Sequence, residues 1–190
     1  MAEEQGRGSR AHPSDVRCGG ANASAAANHE TRASQGSFPR LSKLIFQRAG
    51  AEHAAAFLAL ERLAGDPRTY GPVTDIAAAL REIDENRLYL FRLEETFIAS
   101  AAYRLRTDAS VHISSVAVHP AYRRQGIARM AMLFILELNK HARRLDLVTH
   151  PDNVPALRLY LSLGFAVDQR LENYYGDGEP RLVLAKEPAP

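Results

Sequence analysis

The sequence predicts an α+β domain: a mixed central β-sheet with helices on both faces. Two observations carry that prediction. From Leu41 to Glu187 the apolar periodicity switches repeatedly between two and about 3.6 residues, and the resulting elements follow the order βααβββαβαββ without an internal repeat. Leu44-Ile45-Phe46 reads as a short strand. It leads into a helix over Ala51 to Ala64, whose Phe57, Leu60, Leu63 and Ala64 share one stripe and which Gly65-Asp66-Pro67 stops. Val73 to Asn86 reads as a second amphipathic helix, with Ile76, Ala79, Leu80 and Ile83 at helical spacing. Three strands follow over Leu88 to Leu93, Thr96 to Leu105 and Val111 to Val118, the last closed by His119-Pro120. An apolar helix is expected from Ile127 to Arg143, then a buried strand from Leu145 to Val148. Asp152 or Asn153 can cap the next helix, which carries Pro155 in its first turn and Ala156, Leu159, Tyr160 and Leu163 on one stripe before Gly164 ends it. Phe165 to Leu171 and Leu182 to Leu184 complete the sheet.

A length of 190 residues is room for one ordinary domain and something extra. The extra is at the start. From Met1 to Arg40 the only large apolar residues are Met1, Val16 and Phe38. Such a segment cannot offset roughly 1–2 kcal/mol of backbone entropy per residue, so the expectation is a disordered leader over residues 1–40 and a domain over 41–187. Glu3, Glu4 and the small side chains of Ala21 to Ala27 argue against a signal peptide, and the leader's four acidic residues argue against a transit peptide. With 24 basic against 22 acidic residues there is no general field for nucleic acid or an anionic membrane, and no apolar run is long enough to span a bilayer. Neither partner is expected. The lone cysteine, Cys18, excludes a disulfide framework and a Cys-based metal site. No metal is expected, and the cytoplasm is the expected location. Oligomeric state is not written in the sequence.

Chemistry concentrates between Val116-Ala117-Val118 and the helix that opens at Ile127. The first N–H groups of a helix lack internal partners and carry about half a positive charge, which suits phosphate oxygens. Gly126 and Ala128 keep bulk away, so that the backbone can approach an anion. Arg123, Arg124 and Arg129 sit at the end of the helix where cations are unfavourable unless an anion joins them. A solvated basic loop is the competing reading.

Arg123-Arg124-Gln125-Gly126-Ile127-Ala128 resembles the Arg/Gln-x-x-Gly-x-Gly/Ala loop of the GNAT acyl-CoA N-acyltransferases. Asn153-Val154-Pro155-Ala156-Leu157-Arg158-Leu159-Tyr160, followed by Leu163-Gly164-Phe165, resembles the second motif of that family. Asn173-Tyr174-Tyr175-Gly176-Asp177-Gly178 is similar to the closing hairpin of the RimI-like branch, the ribosomal-protein alanine N-acetyltransferases. The resemblance implies the GNAT fold and acetyl-CoA as co-substrate. It places the pyrophosphate on Arg123, Arg124, Gln125, Gly126, Ile127, Ala128 and Arg129. It pairs the pantetheine with the Val116-Ala117-Val118 backbone and with Asn153. It also makes Tyr160 the proton donor to the leaving thiolate.

The base is less direct. The branch carries a glutamate five residues before the motif asparagine, where this chain has Val148. His112, five residues before Ala117, occupies the position of the strand glutamate in the histone acetyltransferase branch and becomes the candidate base, with His150 second. Tyr174 or Tyr175 could relay a proton through water. The reaction expected is direct attack by a primary amine on the thioester, with a protein or peptide N-terminal amine as acceptor. Two alternatives stay open: a small-amine acceptor (amino acid, polyamine or aminoglycoside), and an acyl-CoA-binding module without turnover. Asp66, Asp75, Glu82, Asp84 and Glu85 would favour a cationic acceptor or form a solvated face.

Overall fold

The computed structural model describes residues 31–32, 43–66, 69 and 71–187. Its strands are β1 (Thr31–Arg32), β2 (Leu44–Arg48), β3 (Arg87–Leu93), β4 (Thr96–Leu105), β5 (Ser110–Val118), β6 (Arg144–Thr149), β7 (Ala166–Leu171) and β8 (Arg181–Lys186). They form one sheet in the order β1-β2-β3-β4-β5-β6-β8-β7. Only β5 and β6 run parallel, because the chain between them crosses over through a helix. The helices are α1 (Ala54–Ala64), α2 (Ile76–Glu85), α3 (Ile127–Leu138) and α4 (Val154–Ser162). The leader expected over residues 1–40 lies outside the described residues, except that Thr31–Arg32 pair antiparallel with Phe46 and Ile45 at the sheet edge.

Two cores lie on opposite faces of the sheet. On one, Ile127, Ala131, Met132 and Ile135 of α3 meet Phe46, Phe91, Ala101, Tyr103, Val111 and Ile113. On the other, Phe57, Leu58 and Leu60 of α1 and Ala79 of α2 meet Leu88, Leu90 and Ala102. The run Ala99-Ser100-Ala101-Ala102 in β4 is wholly buried, and its small side chains leave room for a helix on each face. Phe91, beneath Phe46 at 4.8 Å and Phe134 at 5.9 Å between ring centroids, ties α3 to the sheet.

Several boundaries differ from the sequence reading for identifiable reasons. α3 stops at Leu138 rather than Arg143, since the buried Asn139 side chain donates to the Ile135 carbonyl at 2.8 Å and turns the chain. α2 starts at Ile76 rather than Val73, because Asp75 takes the N-cap and accepts from the Ala78 N–H at 2.8 Å. Of the apolar stripe expected on α2, only Ala79 is fully buried. Ile76 and Leu80 stay exposed, as does Leu63 of α1.

The feature that positions the site is a fork. β5 pairs with β6 only from Ser110–Arg144 to Ile113–Leu147, and beyond that rung the two strands part. At the same point the register of β5 against β4 jumps from Ile113–Tyr103 to Ser115–Ala102, leaving Ser114 as an extra residue in a bulge.

Truncating Phe91 to alanine should cost about 3–5 kcal/mol, because α3 loses its anchor on the sheet and a cavity remains. Urea denaturation of Phe91→Ala checks this.

Candidate active site

Beyond the fork the inner edge of β5 has no strand beside it. The His119 N–H donates to the Ile98 carbonyl of β4 at 2.9 Å. Alternation along an antiparallel ladder therefore turns the N–H and C=O of Ala117 toward β4 and those of Val116 and Val118 into the fork. The sequence reading placed a pantetheine arm along this stretch, and the backbone groups of Val116 and Val118 face the fork.

The fork leads to the loop before α3. Arg124 (φ 66°) and Gly126 (φ 80°) both adopt the left-handed conformation. Such residues turn successive N–H groups toward one concave side, the arrangement of an anion-binding nest, and Gly126 is also the N-cap of α3. A Cβ built on Gly126 meets nothing within 4 Å, so the space above it is open to a ligand. A non-glycine residue at φ 66° is strained, which is common where a loop is shaped for binding.

The basic side chains divide. Arg123 is a strap: its guanidinium donates to the Ala64 carbonyl at 2.8 Å and to the Val118 carbonyl at 3.2 Å, joining the end of α1 to the end of β5. Arg129 donates to Ser162 Oγ at 2.9 Å and so braces α3 against α4. Gln125 reaches back to the Ala121 carbonyl at 3.3 Å. Arg124 makes no side-chain hydrogen bond among the described residues and is exposed. Asn153 caps α4, its Oδ1 accepting from the Ala156 N–H at 3.4 Å. Pro155 lies in that helix's first turn, as expected.

Tyr160 lies on α4 with its ring 6.2 Å from that of Phe165, edge to face. Burial pushes its pKa up to about 12, so the phenol is fully protonated at neutral pH.

His112 stands on the rung before the fork, opposite Asp146 of β6. Its Nδ1 donates to Asp146 Oδ1 at 2.6 Å, and Arg106 bonds both oxygens of the same carboxylate. Burial alone would raise the Asp146 pKa, but the hydrogen bonds and charges of His112 and Arg106 outweigh it and hold the carboxyl below its ordinary value. With Nδ1 engaged, Nε2 of His112 is the nitrogen left for chemistry. Tyr174 comes close enough to interact with Arg106 and Asp146, and burial raises its pKa.

His150 is buried and otherwise engaged: its Nδ1 accepts from the Asp152 N–H at 3.0 Å, and its Nε2 is 3.4 Å from Glu179. It ties the turn before α4 to the closing hairpin. Arg181 lies over the Tyr175 ring at 5.2 Å. Of the acidic residues singled out on α2, Asp75 caps the helix, Glu82 accepts from Asn86 at 2.9 Å and Glu85 pairs with Arg104 at 2.9 Å.

The residues missed from sequence are Asp146, Arg106, Ser114 and Ser115. A charged residue inside the apolar run Leu145-Asp146-Leu147 was the available signal, because carboxylates are almost never buried unless paired. No group of His, Cys, Asp and Glu among the described residues is arranged to hold a metal ion, and no described helix is long and apolar enough to cross a membrane.

The sheet is thus forked between two parallel strands, with a left-handed glycine at the start of the crossover helix. A model of the acetyltransferase (GNAT) family matches residues 54–165, and the chain belongs to that family. It is 31% identical over 78 residues to the N-terminal acetyltransferase B complex catalytic subunit NAA20 of Arabidopsis thaliana, covering 40% of this chain and 45% of that protein. It is 35% identical over 78 residues to an N-alpha-acetyltransferase of Saccharolobus solfataricus, covering 40% and 47%. The chain thus spans about half the length of the curated relatives it matches. Two solved structures share the fold. The ribosomal-protein-S18-alanine N-acetyltransferase of Escherichia coli superposes with a TM-score of 0.67 at 21% identity, covering 77% of this chain and 95% of that one. Ard1 of Thermoplasma volcanium superposes with 0.66 at 18%, covering 78% and 99%.

Replacing Asp146 with asparagine should lower stability by about 1.5–3 kcal/mol at neutral pH, the worth of hydrogen bonds to a charged group. The folded pKa is depressed, so this contribution is full above the ordinary aspartate value near 3.9 and is lost as pH falls through the lower folded value. The gap between wild type and Asp146→Asn in urea titrations should persist down to about pH 4 and close below it.

Proposed function

We propose that the protein is an acetyl-CoA-dependent N-acetyltransferase acting on the α-amine of a protein or peptide. The observation that carries this reading is the backbone edge of β5 that faces the fork, the N–H and C=O of Val116 and the N–H of Val118, continuous with the nest at Arg124 to Ala128. An extended pantetheine arm adds to such an edge as a strand would, and the pyrophosphate fits the N-terminus of α3. Gly126, Ile127 and Ala128 serve through their backbone, Arg124 through its charge, and Asn153 through its amide N–H groups.

In the reaction the amine nitrogen bonds to the thioester carbon, and the tetrahedral oxyanion accepts a hydrogen bond from a β5 N–H, in this reading that of Val116. Collapse breaks the carbon–sulfur bond. His112, oriented by Asp146, takes the proton that the amine loses, and Tyr160 donates a hydrogen bond to the departing sulfur. No protein nucleophile is required, since the thioester is already activated.

Val148 in place of the branch glutamate supports an α-amine acceptor. At pH 7 an α-amine of pKa about 8 is roughly a tenth neutral, whereas a lysine amine of pKa about 10.4 is neutral in a few parts in ten thousand. That difference of about 3 kcal/mol is what a weaker base need not supply.

Purified protein should release CoA thiol from acetyl-CoA only when an amine is added, and thiol release independent of amine, or none at all, contradicts the reading. Gly126→Glu should abolish acetyl-CoA binding in calorimetry. His112→Ala should lower kcat by about 10²–10⁴ with little change in the KM for acetyl-CoA, and a peptide should outcompete free lysine side chains in a mixed-acceptor assay.

A further inference from the structure

The bulge in β5 does more than end a ladder. His112 lies on the sheet face opposite the buried Val111 and Ile113, which point toward α3. Ser114, two residues on from His112, returns to the same face. Because the register jumps there, Ser115 stands opposite Ala102, whose side chain belongs to the core under α1 and α2. The two serines therefore follow one another on the His112 face instead of alternating. Both Oγ atoms are buried, and neither has a hydrogen-bond partner among the described residues. Folded proteins pair the large majority of buried hydroxyls, and an unpaired one costs about 1–3 kcal/mol, so a pair of them at one place needs an explanation. Their position supplies it. They occupy the stretch of β5 between His112 and Val116, where β5 and β6 part.

We propose that Ser114 and Ser115 form the acceptor subsite and select a peptide α-amine, one hydroxyl accepting from the amine N–H and the other donating to the carbonyl oxygen of the first residue. This rests on the acyltransfer reading given above. The amine has two N–H bonds: one turns to His112 Nε2 and is the one broken, the other to a serine oxygen. A lysine side chain or a simple alkylamine has no carbonyl at that distance from its nitrogen and leaves the second hydroxyl unpaired. The serines act on acceptor position and choice, and acetyl-CoA does not touch them.

The test uses Ser114→Ala, Ser115→Ala and the corresponding cysteine variants of the full chain. A tetrapeptide amide and propylamine serve as acceptors, with thiol release as the readout. Removing a hydroxyl that has no protein partner should leave the melting temperature within about 2 °C of wild type. Each alanine variant should raise the peptide KM and lower the peptide-to-propylamine ratio of kcat/KM about tenfold, with the KM for acetyl-CoA unchanged. Wild-type turnover with a ratio that neither alanine variant alters overturns the serine subsite alone. A fall in melting temperature of several degrees in both the alanine and cysteine variants also overturns it, because the hydroxyls would then have structural partners. Acetyl-CoA binding without amine-dependent thiol release in wild type overturns the acyltransfer reading, and this subsite with it.

Discussion

β5 and β6 pair with one another only as far as Ile113 and Leu147, and past that rung their facing edges no longer exchange backbone hydrogen bonds. Unpaired strand edges are ordinarily a liability, since each polar group left without a partner costs free energy and invites another chain. Here the edge is held open from both ends. The rung of His112 and Asp146 closes it below, and the Arg123 strap between the ends of α1 and β5 fixes it above. An extended ligand with its own amides is the natural complement of such an opening, and the nest at Arg124 and Gly126 lies where its charged end would fall. The rest of the domain supports that geometry: α3 covers one face of the sheet and α1 with α2 the other, while the crossover through α3 keeps β5 and β6 parallel so that they can diverge.

The ion pairs at the foot of the fork illustrate the asymmetry of buried charge. Desolvating Asp146 is unfavourable, and the pair with Arg106 and His112 repays it only because the carboxylate is met by both partners through direct hydrogen bonds. Removal of any member leaves the others exposed to that desolvation. The same bonds set the ring orientation of His112, so the group that stabilises the last rung also aims Nε2 away from β6. Stability and chemistry are coupled at one residue pair, which bridges strands 34 positions apart in sequence.

What the sequence disclosed depended on chain distance. The α3 loop and the α4 motif are each contiguous, so residue type and spacing identified them directly, and strand positions from Leu88 to Val118 emerged within a residue or two because their alternation is strong. Asp146 was not visible as a partner of His112, since only the parallel pairing across the crossover brings them together. The bulge left no sign either, as Ser114-Ser115 fits a plain strand equally well. Composition also misled at two places. The stripe on α2 reads as a core face, yet the sheet under it is already occupied by α1, and only Ala79 reaches the interior. The arginines of the turn before α3 read as one cluster, whereas the guanidinium groups of Arg123 and Arg129 donate to backbone and serine oxygens and that of Arg124 has no such partner among the described residues.

The environment of Tyr160 bears on how the leaving thiolate is handled in the proposed reaction. A phenol whose pKa is about 12 is a weaker acid than an exposed tyrosine, and a thiol titrates near 8.5. Full proton transfer from Tyr160 to sulfur is then unfavourable. A hydrogen bond needs no such transfer. It strengthens as negative charge develops on sulfur in a dry site, and burial guarantees that the donor proton is present at every physiological pH. The desolvation that makes Tyr160 a poor acid therefore makes it a dependable donor, and the net proton released in the reaction comes from the amine by way of His112. In the proposed reaction Tyr160 stabilises charge in the transition state while the proton lost by the amine passes to His112.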